Sequence, residues 1–480
     1  MLKRVFVLVL AALLSLAFVA CGDAEGPSAT LSSEQLAKLN EAGLPDYDFG
    51  GYEFNILSVG RADNYDDFTA DETSENLLEQ AKHTRNLQVE ALYNVKVKPQ
   101  WRSTTANQQS PEAYQALVRE ATAGDTNYDL CVIPGYDVSE LAYGGFLTNL
   151  NALPHFDGTK TWYDQKANET FTFGDSLFFT AGDYGINLMD QTYCIAFNAK
   201  LAEDNKLENL YELVDNNQWT LEKMSELSKK VANEATGVYG NLYWVDSVYG
   251  ALNSANRRLV ELDDETLNYN LVAPDGITYG VLSDFYELVM DSNVSYKYQH
   301  NGTGAKREEW VNMFSGNKAL FLLTTVNKLA EFRDMETDYG VLPYFLYTEG
   351  QVGGYHNTVA PFNMNFMCAP LVVEDYKRTS AVMEAIGYFS EQEILDPYYE
   401  KTLKGKTARD EDSVRMLDLI FDTRAYDIGY CYQPAHINKH LIYMLNDGTN
   451  DWPTRYASLE LQAQAKLDVI SEYYRGVIEK

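Results

Sequence analysis

The sequence predicts an α/β fold in which helices cover a largely parallel sheet. Segments with the patterns of strands and helices alternate along the chain. The clearest strand is YDLCVIP at residues 128–134, a continuous apolar run of the kind found in strands that are buried on both faces. With 480 residues, the chain is long enough for two domains, each with its own core.

Local start and stop signals support this alternation in the first third of the chain. A helix opens after Ser110 and stops at Gly124, a residue type that commonly ends helices. After the apolar strand, Asp137 is expected to cap the helix of DVSELA. A short helix is also expected at 31–43, and strands at 51–59 and 93–101.

The middle of the chain continues the pattern. Residues 219–231 form an amphipathic helix that Thr220 caps, with acidic residues near its start and lysines near its end. Gly316 separates a helix from the apolar strand that follows it. Further strands are expected within 190–201 and 338–344, and a further helix at 376–392.

The first twenty residues have the pattern of an export signal. Lys3 and Arg4 precede an apolar run from Val5 to Ala20, which is about the length of a secretory signal core. Cys21 follows directly, as in bacterial lipoproteins, where the cysteine receives a lipid and becomes the first mature residue. Phe18 stands where such signals usually have leucine. We expect a lipid on Cys21; the alternative is an ordinary cleaved signal with a chance cysteine.

The composition limits the classes of partner. A net charge of −32 repels phosphate backbones, so the sequence excludes nucleic acid as a favoured partner. No second long apolar run follows the signal. The remaining cysteines match neither zinc spacing nor a dense disulfide framework, and buried free thiols are the plain interpretation; they are Cys131, Cys194, Cys368 and Cys431.

Several motifs together, in their order, resemble a known family. The resemblance is to the extracellular solute-binding proteins of ABC-type importers, in particular family 1, which includes maltose-binding protein. It covers roughly residues 50–395, and the tail matches less well. The motifs are YDLCVIPGYDVSELAYGGFLTNLNALP, INLMDQTYCIAFNAKL, NNQWTLEKMSELSKKV, and WVNMFSGNKALFLLTT followed by DYGVLPY.

The resemblance implies a fold like that of periplasmic binding proteins, with two lobes joined by crossing hinge strands. The crossings fall near 190–195 and 360–369, and if they pair, Cys194 and Cys368 could be neighbours and form a bridge. The expected division is a signal at 1–20, a tether and short helix at 21–48, lobe 1 at 49–190 plus about 362–430, and lobe 2 at 191–361 plus about 431–480.

The same resemblance implies a function in which no covalent bond is made or broken. Such a protein closes its lobes over a small solute, here most simply a sugar, and passes it unchanged to a membrane permease. We therefore expect a monomer, anchored to the outer face of the bacterial cell membrane, with no catalytic residue, cofactor or metal. The identity of the solute is not readable from the sequence.

Aromatic side chains are candidates for contact with a sugar ring. Tyr136 follows the carboxyl end of the apolar strand, where open α/β sheets bind ligands. Trp244 lies in the aromatic stretch at 241–250, and Tyr355 lies on a glycine-rich loop. The alternative for each is an ordinary core or rim position.

Polar candidates lie at the crossings and after the first strand. Asp190 and Asn363 each stand beside apolar strand positions in a crossing segment, where they would either lock the hinge or bind ligand hydroxyls. Arg61 and Asp63 follow the first strand and are candidates on the same logic.

Two rival functions remain open. One is a tethered carbohydrate-active hydrolase. Carboxylates are so abundant in this sequence that a catalytic pair could always be chosen, so their presence neither supports nor excludes a hydrolase. The other is a solute sensor for a membrane kinase. Familiar catalytic motifs fail: Gly405 to Thr407 lacks the first glycine of a P-loop, and no glutamate follows His436 as a metalloprotease motif with His440 would require.

Overall fold

The computed structural model describes residues 33–61, 66–70, 73–106, 108–298, 305–395, 398–399 and 408–478. The predicted signal, the lipid-accepting Cys21 and the candidate Asp63 lie outside these residues. Among the helices described, none combines the length and the apolar character that crossing a membrane requires.

Two sheets form the framework, with two small two-stranded ribbons beside them. The strands are β1 (Tyr52–Arg61), β2 (Val95–Thr104), β3 (Leu130–Pro134), β4 (Tyr193–Asn198), β5 (Tyr239–Tyr243), β6 (Val260–Asp263), β7 (Asn268–Leu271), β8 (Ser295–Lys297), β9 (Ala319–Thr325), β10 (Tyr339–Leu342), β11 (Asn357–Thr358), β12 (Asn365–Cys368) and β13 (Arg424–Ala425).

Helices connect and cover these strands. They are α1 (Ser33–Glu41), α2 (Leu77–Tyr93), α3 (Tyr114–Ala123), α4 (Gly135–Tyr143), α5 (Gln165–Phe171), α6 (Asn187–Asp190), α7 (Ala199–Asp204), α8 (Leu210–Asp215), α9 (Leu221–Val231), α10 (Ser247–Ser254), α11 (Gly276–Met290), α12 (Ala305–Ser315), α13 (Tyr376–Glu393), α14 (Glu411–Asp422), α15 (Ile428–Tyr432), α16 (Ile437–Asp447) and α17 (Trp452–Ile478).

The first sheet has the strand order β12-β3-β1-β2. β1 pairs in parallel with both β2 and β3, and only the edge strand β12 is antiparallel. Every residue of β3 is buried, as its continuous apolar sequence predicts. The carboxyl ends of β1, β2 and β3 therefore meet at one edge of this sheet.

The second sheet has the order β10-β4-β9-β5-β8 and is mixed. β5 runs parallel to β8 and β9, whereas β4 runs antiparallel to its neighbours β9 and β10. The carboxyl ends of β5, β9 and β10 and the amino end of β4 consequently share one edge. The predicted α/β class, with one sheet in each of two lobes, is confirmed.

Local signals place most of the helices as predicted. The Thr220 side chain caps α9 by accepting a hydrogen bond from Lys223 N at 3.1 Å, and Gly124 ends α3 in the left-handed conformation. The predicted cap at Asp137 is wrong. α4 begins earlier, at Gly135, and the Asp137 carboxylate instead accepts hydrogen bonds from the backbone N–H and the hydroxyl of Ser110.

Two crossing segments join the sheets and pair with each other. Thr192 and Val359 form an antiparallel bridge, and Ala360 N donates to Gln191 O at 3.0 Å. These contacts lie between α6 and β4 on the outward crossing, and between β11 and β12 on the return. The hinge is therefore a hydrogen-bonded pair of strands and not two independent linkers.

The cysteines confirm the interpretation as buried free thiols, and the Cys194–Cys368 bridge that the sequence left open as an alternative does not form. Cys368 in β12 lies opposite Cys131 in β3, whereas Cys194 in β4 lies opposite Thr324 in β9. The two cysteines belong to different sheets because the crossing segments pair before β12 and β4 enter their own sheets. The four cysteines that the structure describes are buried and free, and burial raises the pKa of the Cys194 thiol.

The C-terminal segment, defined as residues 408–478, contacts both lobes. α14 packs against β10 of the second sheet, whereas α15 packs against α4 beside the first sheet. α16 contacts α10, and the long α17 runs along β7 and also contacts α4. This segment therefore brings its own side chains close to the junction of the lobes, although the two lobes are formed mainly by earlier parts of the sequence.

Candidate functional site: an aromatic cluster between the lobes

A cluster of aromatic side chains lies where the two lobes meet, and Tyr136 belongs to it from the first lobe. It lies in the first turn of α4, directly after the carboxyl end of β3, and its side chain is buried. Its ring centroid is 6.4 Å from that of Phe362 in the return crossing. Gly135 permits this approach, because a Cβ there would lie 2.6 Å from Pro361 O. The β3–α4 turn and the hinge are thus packed backbone to backbone.

The second lobe contributes Trp244 directly after β5, at the edge where its strands converge. The Trp244 ring lies 5.3 Å from Tyr193, at the start of β4, and 6.2 Å from Phe362. Tyr193 in turn lies 5.8 Å from Tyr344. The rings of the second lobe therefore reach the same hinge residue as Tyr136.

Tyr430 of the C-terminal segment completes the cluster. Its ring stacks on Tyr249 of α10 with centroids 3.8 Å apart, and it meets Tyr136 edge-on at 6.3 Å. The hydroxyls of Tyr430 and Tyr193 are 3.3 Å apart. One ring thus contacts residues of both lobes.

Asp246 supplies a carboxylate to this aromatic surface. It precedes α10, and burial raises its pKa to about 7. Burial also raises the pKa values of the surrounding tyrosines, and the charge of Asp246 adds to this effect at Tyr136, Tyr193, Tyr249, Tyr344 and Tyr430. Within the described residues, the Asp246 carboxylate has no hydrogen-bond or ion-pair partner. It is therefore available to accept hydrogen bonds from a ligand.

A second polar group lies at the outward crossing. The Tyr398 hydroxyl donates a hydrogen bond to the Asp190 carboxylate, and burial raises the pKa of Asp190 to about 7. The Asp67 carboxylate accepts hydrogen bonds from Ile186 N at 2.9 Å and from the Asn187 side chain. These hydrogen bonds hold both carboxylates against neighbouring residues at the start of the hinge. They favour the locking alternative for Asp190, and its role in ligand binding stays a prediction.

The other predicted residues that the structure describes lie in three different places. Asn363 is buried in the return crossing next to Phe362, and Arg61 ends β1 at the edge of the first sheet that carries Tyr136. Tyr355 is different, because its hydroxyl donates to Val214 O at 3.1 Å, at the end of α8. Its hydroxyl is therefore used inside the second lobe.

Sequence reasoning missed two central rings, Tyr430 and Tyr193. Tyr430 lies in the tail, where the family resemblance is weakest, and no local pattern marks it. Tyr193 reads as an ordinary buried strand residue. Asp246 and Tyr249 stand beside Trp244 in the aromatic stretch at 241–250, and this clustering of ring and carboxylate was the usable signal.

The described part of the chain contains no group of three His, Cys, Asp or Glu side chains arranged to hold a metal ion. The aromatic cluster itself offers ring faces for C–H surfaces and one carboxylate for hydroxyl donors.

Solved structures of extracellular solute-binding proteins of ABC-type transporters share this two-lobe fold. The galacto-N-biose/lacto-N-biose I-binding protein of Bifidobacterium longum, in complex with lacto-N-biose, has a TM-score of 0.57 at 13% identity, over 89% of this chain and 98% of that one. A solute-binding protein of Thermotoga lettingae bound to α-D-tagatose has a TM-score of 0.55 at 14% identity, over 88% of this chain and 100% of that one.

A third example is an ABC substrate-binding protein of Listeria monocytogenes in complex with cycloalternan, with a TM-score of 0.54 at 13% identity over 88% of this chain and 99% of that one. No protein-family model matches the chain, and a comparison with curated proteins finds no match. At these identities the likeness shows the fold alone.

Proposed function

We propose that this chain is an exported receptor that captures a saccharide between its lobes and delivers it to an ABC-type permease. The observation that carries the proposal is the aromatic cluster around Asp246, which both lobes and the C-terminal segment build at the carboxyl edges of the two sheets. Sugar rings present apolar faces and hydroxyl rims, and this surface offers a partner for each. The structural neighbours named with bound sugars support the same class of ligand.

Closure of the lobes would couple binding to delivery. A ligand that touches Tyr136 on one lobe and Trp244 on the other binds the closed state more tightly than the open state, so it shifts the population towards closure. The permease would then recognise the closed form. In this proposal the protein makes and breaks no bond, acts as a monomer, and needs neither a cofactor nor a nucleic acid.

The cellular location belongs to the same proposal. Export through the predicted signal and a lipid on Cys21 would hold the receptor at the outer face of the membrane, close to its permease. The high negative charge supports an uncharged ligand over a polyanion.

The test is calorimetric titration of the exported protein with mono- and oligosaccharides, comparing wild type with Trp244→Ala and Trp162→Ala. Both tryptophans are 4% exposed, but Trp162 packs in the first lobe against Tyr388 and Gly387. Both variants should lose similar stability, whereas only Trp244→Ala should weaken binding, by about tenfold or more, equal to about 1.4 kcal/mol. Equal affinities in the two variants would remove Trp244 from the site.

Mass spectrometry of the recovered sugar separates the rival functions. Unchanged ligand after prolonged incubation supports a receptor, and cleaved products would identify a hydrolase. A receptor that senses its solute for a membrane kinase would bind identically, but deletion of the chain would abolish signalling and leave sugar uptake intact.

A further inference from the structure

A cavity of about 420 Å³ lies beside α4, and no residue of the aromatic cluster lines it. Tyr136 begins one stripe of this helix, and Glu140 and Tyr143, one and two turns further along, line the cavity. The opposite wall is the turn between α15 and α16, and Lys466 of α17 closes one side. Its volume is in the range of small-ligand sites, which is roughly 300–1,000 Å³.

The backbone around this cavity is strained. The structure describes ten non-glycine residues with positive φ, and four of them line this one cavity: Gln109 (φ 49°), Gln433 (φ 50°), Ala435 (φ 47°) and His436 (φ 57°). Such conformations cost free energy and concentrate at binding sites, where the surrounding fold maintains them. The other six are scattered singly along the chain.

Buried polar atoms in the wall have no protein partner within the described residues. Gln433 is 5% exposed, yet neither the oxygen nor the nitrogen of its side-chain amide makes a hydrogen bond. One carboxylate oxygen of Glu140 is likewise buried without a partner, and burial raises the pKa of this group. Leaving such groups unpaired costs free energy, and a bound ligand that pairs with them would recover it.

Aromatic and cationic groups complete the wall. Lys466 Nζ lies 4.6 Å from the centroid of the Tyr143 ring, and the Tyr143 and Tyr432 rings are 5.9 Å apart. The cavity therefore combines a ring face, an amide that both donates and accepts, a carboxylate and an ammonium group. This set matches a pyranose, which has apolar C–H faces and a rim of hydroxyls.

We infer that this cavity is a second saccharide site, which holds one sugar ring independently of the cleft between the lobes. Gln433 would use both amide atoms on neighbouring hydroxyls, Glu140 would accept a hydroxyl hydrogen bond, and Lys466 would donate one. The strained turn holds Gln433 in place for this contact.

The experiment counts bound sugars on the intact exported protein by native mass spectrometry and calorimetry, using glucose, galactose, mannose and maltose as probes. Gln433→Gly removes the amide and suits the positive φ, so the fold is expected to persist. Lys466→Ala removes an exposed lysine, with Lys230→Ala on α9 as its matched control. Trp244→Ala removes the cleft site.

The inference predicts two bound sugars in wild type and in Lys230→Ala. Gln433→Gly and Lys466→Ala should each weaken one site by about tenfold, the loss of one hydrogen-bonding group, and leave the other site unchanged. A single bound sugar that only Trp244→Ala removes would overturn the second site and leave the proposed function standing. A single sugar that only Gln433→Gly removes would overturn the cleft proposal instead, and no binding at all would overturn both.

Discussion

The Asp246 carboxylate lies among tyrosine rings and has no hydrogen-bond partner among the residues described. Holding a charge in such surroundings costs free energy, which is why burial raises its pKa to about 7. A sugar hydroxyl that donates a hydrogen bond to this oxygen would offset part of the cost, since bonds to a charged acceptor are stronger than neutral ones. In the proposed mechanism the same residue would weaken the empty protein and strengthen the complex with a sugar.

This arrangement predicts a pH-dependent effect of Asp246→Asn on stability. The folded-state pKa lies above the usual 3.8, so the folded protein binds more protons than the unfolded chain between these values. Asp246 therefore lowers stability progressively as the pH rises from about 4 to about 7. Asp246→Asn should be more stable than wild type by about 1–3 kcal/mol at pH 8 and almost equal to it at pH 4.

Denaturant unfolding of the two proteins across this pH range measures the effect. Asp264→Asn, in the exposed turn between β6 and β7, is the control and should give no such trend. A stability difference for Asp246→Asn that does not grow with pH would contradict the burial of a charged carboxylate in the cluster. The same variant should bind sugar more weakly, because a neutral amide accepts a weaker hydrogen bond than a carboxylate.

The turn from β3 into α4 depends on close packing against the hinge. A Cβ on Gly135 would lie 2.6 Å from Pro361 O and 2.9 Å from the Phe366 ring, so Gly135→Ala must push the return crossing away. We expect a loss of about 1–3 kcal/mol in the free energy of unfolding, as for other overpacked sites. Thermal and denaturant melts provide the measurement.

Gly276→Ala is the matched control for this prediction. Gly276 begins α11, and no atom lies within 4 Å of the Cβ that alanine would add. Alanine there restricts the unfolded chain without a clash, so the variant should match or exceed wild type by about 0.4–1 kcal/mol. Equal stabilities for Gly135→Ala and Gly276→Ala would show that the turn and the hinge are not in close contact.

Local patterns predict most of the elements because they depend on neighbours in sequence. The apolar run at 128–134 became the buried β3, and Thr220 caps α9 through its own side chain. Asp137 resembled a cap in the same way, but Ser110 from another loop takes up its carboxylate. Short-range signals thus fail where a distant residue competes for the same group.

The site was less predictable because it is assembled from distant segments. Trp244 and Tyr136 were recognisable from their places after strands, whereas Tyr430 meets Tyr193 only through the path of the C-terminal segment. For a tyrosine in a short helix, no sequence feature distinguishes a binding-site position from a core position. The alternative bridge between Cys194 and Cys368 was wrong for a similar reason. Judging it required knowing where each crossing segment enters its sheet.

The assembly of the whole molecule makes Tyr430 a connection between the lobes. It contacts Tyr136 on the first lobe and stacks on Tyr249 of the second, while the paired crossing at Thr192 and Val359 lies at the hinge. In the proposed mechanism, opening of the lobes would have to separate at least one of these ring contacts. A sugar that inserts its ring would replace the lost contacts and favour closure.

A crystal structure of the protein with the sugar identified by titration tests this mechanism most directly. The predicted result is a sugar ring between the lobes, with one face on Trp244 or Tyr430 and a hydroxyl within hydrogen-bond distance of the Asp246 carboxylate. A sugar bound only outside the cleft, with the rings around Asp246 still in contact with one another, would contradict it.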